Sequence, residues 1–257
     1  LSKFLNKIGL RKIQQQENFY GYIFILPWII GMLAFTIGPL IFSFITSFSD
    51  YNMLKFEWVG VKNYVHMFTR DPLFVKAFKN TLYYSLLNIP LITIGGVLVA
   101  ILLHELTFGV RVLRTVYYLP SVMVGVGTYF LWMFMLNPSN GLVNTLLGFI
   151  GIEGPAWLTD PRWTKPAIIV MNVWGLGGQM LLYLSRLQSI PRDLYESAAI
   201  DGANKPTRLF KITLPMLTPI IFYNLIIGII GSFQVFQQGY IFSGDGSGKP
   251  AGSLLFY

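Results

Sequence analysis

The 257-residue sequence has no cysteine, so neither a disulfide framework nor a thiolate metal site is open to it. Histidine is almost as scarce. His66 and His104 stand far apart, and no His/Asp/Glu cluster has metal-ligand spacing. Charge is the third shortage: Asp, Glu, Lys and Arg make up 12% of the chain, against about 25% in an average soluble domain. Apolar residues fill the gap, at 54% of the chain with a mean hydropathy of +0.57. A chain of this composition is an integral membrane protein.

A helix that crosses a hydrocarbon core of about 30 Å needs roughly 20 apolar residues. Five runs qualify, at 20–48, 81–103, 115–136, 166–185 and 216–242. Each is too long for a strand, and none alternates as a barrel strand does. The expected fold class is therefore all-α and membrane-spanning, as a single transmembrane domain over residues 1–257. The first run far exceeds the h-region of a cleaved signal peptide, about 7–15 residues. Ser253, Leu254, Leu255, Phe256 and Tyr257 turn apolar again where the sequence stops, which predicts a sixth helix beyond them.

Orientation follows from lysine and arginine. With the N-terminus inside, eleven of the nineteen lie on the inner side, from Lys3, Lys7, Arg11 and Lys12 through to Arg208 and Lys211. The bias is modest, but its sign predicts a cytoplasmic N-terminus. The net charge of +8 has the same origin, basic residues flanking spans beside anionic lipid. No basic stripe interleaves with exposed aromatics, which argues against nucleic acid.

The five runs also lack Asp, Glu, Lys, Arg and His. Transport driven by an ion gradient usually places an ionisable group at mid-membrane to meet the coupling ion. Its absence points to a power source outside these spans. What the spans do hold is neutral. Asn172, Trp174 and Gln179 lie in the fourth run, and Ser232, Phe233, Gln234, Phe236 and Gln237 late in the fifth. Amides and hydroxyls suit sugar hydroxyls, and aromatic rings suit sugar faces. Ordinary interhelical hydrogen bonding, worth about 0.6 kcal/mol each, explains the same residues equally well. Pro27, Pro39, Pro90 and Pro120 invite kinks within the spans.

Between the fourth and fifth runs lies a polar island, residues 189–215, with Arg192, Lys205, Arg208 and Lys211. Pro191 can open a helix there, and Gly202 can close it in a left-handed conformation. Leu194, Ala198 and Asp201 fall at helical spacing, while Ser197, Ala198 and Ala199 are small enough to admit a close neighbour. A second short helix is expected from near Pro206 to Pro215. Such a unit, tied into the next span, transmits a push.

The run Ile190-Pro191-Arg192-Asp193-Leu194-Tyr195-Glu196-Ser197-Ala198-Ala199-Ile200-Asp201-Gly202-Ala203, with Ile212-Thr213-Leu214-Pro215, resembles the coupling loop of sugar permeases in binding-protein-dependent ABC importers. The resemblance extends over nearly the whole chain. It includes Ile23-Phe24-Ile25-Leu26-Pro27, Val59-Gly60-Val61-Lys62-Asn63-Tyr64, Asn80-Thr81-Leu82 and Arg114-Thr115-Val116-Tyr117-Tyr118-Leu119-Pro120. It implies the type I importer permease fold with a sixth span, a bacterial inner-membrane location, and Glu196, Ser197, Ala198, Gly202, Leu194 and Asp201 as the ATPase-coupling positions. It further implies a second permease subunit, two ATPase subunits that bind the ATP and Mg, and an extracytoplasmic solute-binding protein. This chain itself then takes no cofactor and catalyses nothing. Ser197 departs from the family's alanine, small for small, and Pro206 stands where an aromatic is common.

Gly244-Asp245-Gly246-Ser247-Gly248-Lys249 imitates a phosphate loop, but Ser243 occupies the first glycine position and Pro250 follows the lysine. The expected function is a permease subunit of an ATP-driven importer for a carbohydrate, an oligosaccharide. The alternatives are a gradient-driven carrier or channel acting alone, and a membrane scaffold.

Overall fold

The computed structural model describes residues 18–123 and 125–242. The basic N-terminal segment, the glycine-rich segment 244–249 and the apolar end at 253–257 lie outside the described residues. The chain divides into two compact units, with the boundary between Asp71 and Pro72.

The first unit is built on α1, Asn18–Thr46, whose most apolar window has a mean hydropathy of 2.1. Within it Leu33–Ile37 forms a π-turn, in which Gly38 N–H reaches the Leu33 carbonyl. The wide turn lies immediately before Pro39, which has no N–H to donate, so the ladder shifts its register where a donor is missing. After α1 come a two-stranded antiparallel hairpin, β1 (Ser49–Tyr51) and β2 (Phe56–Trp58), and a short helix α2, Lys62–Thr69. Asn63 ties these together by donating to the carbonyls of Ser47 and Ser49, both at 3.0 Å.

The second unit opens with α3, Pro72–Glu105, which runs through Pro90 as one helix. Residues 115–136, expected as one helix, form two: α4 (Val110–Val122) and α5 (Gly125–Met135), bent by 102°. After the short α6, Leu142–Phe149, comes a second bent pair, α7 (Pro161–Trp174) and α8 (Gly177–Gln188), at 43°. Among the described residues three helices are thus long and apolar enough to cross a membrane, or five if each bent pair is one span.

Asp160 caps α7, accepting from Arg162 N–H at 2.9 Å, and the Arg162 guanidinium beside it holds its carboxyl below the ordinary carboxylate range. After α9, Arg192–Ile200, the last long helix is α10, Lys205–Phe233. It contains a second π-turn, Leu209–Thr213, in which Leu214 N–H reaches the Leu209 carbonyl just ahead of Pro215. The expected separate helix ending at Pro215 is therefore absent, since the π-turn carries the backbone past the proline without a break. Beyond a kink at 234–236 lies α11, Gln237–Phe242.

Two cores hold the second unit. One joins Met180, Tyr183, Leu184 and Leu187 of α8 to Val97, Ala100 and Leu103 of α3 and Leu217 of α10. The other gathers Tyr84, Trp132, Ile168 and Phe242 from α3, α5, α7 and α11. Lipid supplies little hydrophobic drive between helices, so close approach matters more. Gly177 is the clearest case: a Cβ there would lie 2.7 Å from the Tyr118 Cα. The α4–α8 crossing requires glycine at that point.

Candidate functional site

Three helix breaks meet at one cavity of about 390 Å³. Met123 and Gly125 come from the α4/α5 break, Gly175 and Leu176 from the α7/α8 break, and Val235 from the kink after α10, with Gln238 just beyond it in α11. Irregular backbone at membrane depth is tolerated where it lines a cavity rather than lipid, because its polar groups find partners there. Pro120, Gly125, Gly175, Gly228 and Gly231, scattered through apolar sequence, thus share one wall.

The cavity wall carries a chain of neutral hydrogen bonds. Asn172 Nδ2 donates to the Tyr84 hydroxyl at 2.6 Å, and Gln238 Nε2 donates to Asn172 Oδ1 at 2.9 Å. Three buried carbonyl oxygens nearby, Asn88 Oδ1, Gln179 Oε1 and Gln238 Oε1, have no partner among the described residues. Leaving such an acceptor unpaired costs about 1–3 kcal/mol, so these three side chains hold unused hydrogen-bonding capacity beside the cavity. Trp174 lines the wall in edge-to-face contact with Trp132 at 5.7 Å. None of the lining residues is Asp, Glu, Lys, Arg or His.

The structure brings Asn172, Trp174, Gln179 and Ser232 to this cavity. Gln234, Phe236 and Gln237 line a neighbouring one of about 390 Å³, which shares Tyr129, Val235 and Gln238 with the first. Phe233, the last residue of α10, lines neither and is 47% exposed. Sequence reasoning missed Tyr84, Asn88, Thr128 and Tyr129. Tyr84 and Asn88 lie one helical turn apart in an otherwise apolar run, which was the available signal.

The polar island folds as a hairpin from α8 through α9 into α10. Pro191 caps α9, with extended backbone at ψ 131°. At its other end Gly202 adopts φ +77°, Gly202 N–H bonds the Ala199 carbonyl at 3.1 Å, and Ala203 N–H bonds the Ala198 carbonyl at 2.8 Å. These two bonds make a Schellman cap, which requires a left-handed residue at that point. Asn204 then caps α10 by accepting from Thr207 N–H at 2.9 Å.

On α9 Tyr195 and Ala198 turn towards the body of the protein, while Leu194, Glu196, Ser197, Asp201 and Gly202 are exposed. Ile200, absent from the sequence-based set, is 87% exposed beside them. Tyr195 hydrogen-bonds Thr213 within the π-turn at 3.0 Å. Arg186 Nε donates to the Met216 carbonyl at 3.3 Å, bracing α8 against α10. Both helices that emerge from the hairpin end at the cavity, α8 through Gln179 and its N-cap Leu176, and α10 through Gly228 and Ser232. The hairpin is thus joined to the cavity wall by two helices.

Residues 74–255 match the family described as binding-protein-dependent transport system inner membrane component. The chain is 38% identical over 246 residues to the probable ABC transporter permease protein YesP of Bacillus subtilis (strain 168), covering 95% of this chain and 79% of that one. It is 34% identical over 246 residues to the trehalose/maltose transport system permease protein MalF of Thermococcus litoralis, covering 95% and 83%. A solved bacterial alginate ABC transporter, in complex with alginate pentasaccharide-bound periplasmic protein, is similar over 94% of this chain and 78% of its own. Its TM-score is 0.76 at 29% identity.

Proposed function

The chain belongs to the family of binding-protein-dependent transport system inner membrane components, as an ABC-importer permease of the type I fold, and we propose that its cargo is a neutral oligosaccharide. The observation that carries this reading is the cavity wall. Its unpaired acceptors on Asn88, Gln179 and Gln238 match the hydroxyl donors of a sugar, and Trp174 offers an aromatic surface. No cation lines the cavity to neutralise an acidic sugar. A gradient-driven carrier finds no carboxylate among the same residues to bind its ion.

The hairpin around α9 is the point of attachment for an ATPase subunit. Glu196, Ser197, Asp201 and Gly202, with Leu194, form the exposed surface that this subunit grips, and Ala198 seats the helix on the protein. ATP and Mg are bound by two such subunits, not by this chain, which catalyses no reaction. A second permease closes the other half of the pathway, and an extracytoplasmic binding protein delivers the sugar. The N-terminus and the α9 hairpin then face the cytoplasm. Closure of the ATPases moves α9, and α8 and α10 reset the cavity from outward to inward access.

Calorimetry of the binding protein against a panel of neutral and acidic oligosaccharides tests the cargo, followed by uptake into vesicles carrying the complete transporter. Binding and uptake of neutral oligosaccharides, uncontested by acidic ones, is the expected result. A binding protein that accepts only charged solutes overturns the proposal.

A further inference from the structure

The hairpin β1–β2 has two unlike faces. Register pairs Ser49 with Trp58, Asp50 with Glu57 and Tyr51 with Phe56. Side chains alternate along a strand, so Tyr51, Phe56 and Trp58 share one face, and Asp50 and Glu57 meet on the other. Like charges directly opposite one another are tolerable only in water, which assigns the acidic face to solvent. The aromatic face is largely open: Phe56 is 56% and Trp58 63% exposed.

The turn is more unusual. Asn52 holds it, its Oδ1 accepting from Leu54 N–H at 3.2 Å and Lys55 N–H at 2.9 Å. Met53 adopts φ +66°, a left-handed conformation for which glycine or asparagine is the ordinary choice. Met53 is 88% and Leu54 93% exposed. A strained position is thus spent on presenting two apolar side chains at a tip.

The hairpin folds back along the end of α1. Phe48 lies edge-on to Phe44 at 5.3 Å, and Tyr51, three residues further on, lies edge-on to Phe42 at 5.7 Å. The chain therefore descends as it leaves the helix. Phe42 is four residues before the end of α1, about 6 Å back along its axis. A helix of 29 residues is about 43 Å long, enough to cross the hydrocarbon and both headgroup layers. The tip beyond Tyr51 then reaches the boundary between headgroups and acyl chains.

We propose that the β1–β2 hairpin is an interfacial anchor. It inserts Met53 and Leu54 into the lipid leaflet around the end of α1, with Tyr51, Phe56 and Trp58 at headgroup level and Asp50 and Glu57 in water. The occupant of its aromatic face is lipid. Tyr and Trp favour this layer because one end of each ring system is apolar and the other wet. Lys55, next to the tip, reaches back to lipid phosphate along its own stem. The anchor fixes the depth and rotation of α1.

The absence of cysteine from the sequence makes the test direct. Met53→Cys, Leu54→Cys and Glu57→Cys are each spin-labelled in the complete transporter in proteoliposomes, with the signal of the identically treated parent subtracted. Collision with dissolved oxygen reports lipid, and collision with a water-soluble nickel chelate reports solvent. Labels at 53 and 54 are expected to meet oxygen several-fold more than nickel, with the ratio reversed at 57. Nickel access at 53 and 54 equal to that at 57 places the tip in water and overturns the proposal. Exclusion of both reagents places it under another protein, and overturns it equally.

Discussion

The cavity and the α9 hairpin are opposite solutions to the problem of placing polar groups in a membrane protein. The hairpin is local: Pro191, the Schellman bonds at Gly202 and Ala203, and Asn204 all lie within a few residues of one another. The cavity is assembled from afar. Its hydrogen-bond chain joins Tyr84, Asn172 and Gln238, separated by 88 and 66 residues. Polar groups in the hairpin are exposed, so water satisfies them at no cost in packing. Those in the cavity are satisfied by each other or have no partner among the described residues. A surface that must be gripped from outside can be specified by short-range sequence, whereas a surface that must receive a solute needs several helices.

The comparison predicts that damage to the two regions separates transport from its power supply. The largest effect belongs to Gly202→Asp and Glu196→Lys. The first forces a side chain into left-handed backbone at about 1–2 kcal/mol, and the second inverts the charge on the exposed surface. Both are expected to abolish uptake and the ATPase activity stimulated by binding protein, while the subunits still assemble. Normal uptake in both variants breaks the comparison at the hairpin.

Asn172→Ala comes next. It strips Tyr84 and Gln238 of their shared partner, a loss of about 1–3 kcal/mol. Uptake is expected to fall about tenfold, the equivalent of about 1.4 kcal/mol, with stimulated ATPase activity retained. If ATPase activity collapses in parallel, the cavity and the hairpin are not separable in the way described.

Tyr195→Phe is the mildest. It removes one hydroxyl and leaves Thr213 Oγ1 its longer bond to the Arg208 carbonyl, 3.4 Å. The expected cost is about 0.5–1.5 kcal/mol, seen as a small drop in melting temperature and less solute moved per ATP hydrolysed. An unchanged ratio of transport to hydrolysis removes Tyr195 from the lever.

How far the sequence could be read follows the same division. The hairpin's ends were legible because proline and glycine act through their own backbone. Pro191 and Gly202 stand where local chemistry puts them. Pro215 misled for an instructive reason. A proline usually marks a boundary, but the π-turn at Leu209–Thr213 absorbs the missing donor and leaves α10 continuous. In the cavity, Asn172 and Gln179 were legible as amides in apolar surroundings. Thr128 was not, because its hydroxyl bonds the Met123 carbonyl and carries no sign of a distant partner, and Tyr84 was marked only by Asn88 one turn further on. Phe233 was selected with its neighbours but falls outside both cavities.

The sequence by itself determined the solvent of this protein, its apolar segments and the hairpin between α8 and α10, since these follow from composition, run length and turn chemistry. Tertiary structure alone decided which polar groups meet. A helix apolar nearly all round, such as α3 or α10, shows no preferred face in its sequence. Only the breaks between α4 and α5, at 175–176 and at 234–236, once packed together, turn Tyr84, Asn172 and Gln238 towards a common space.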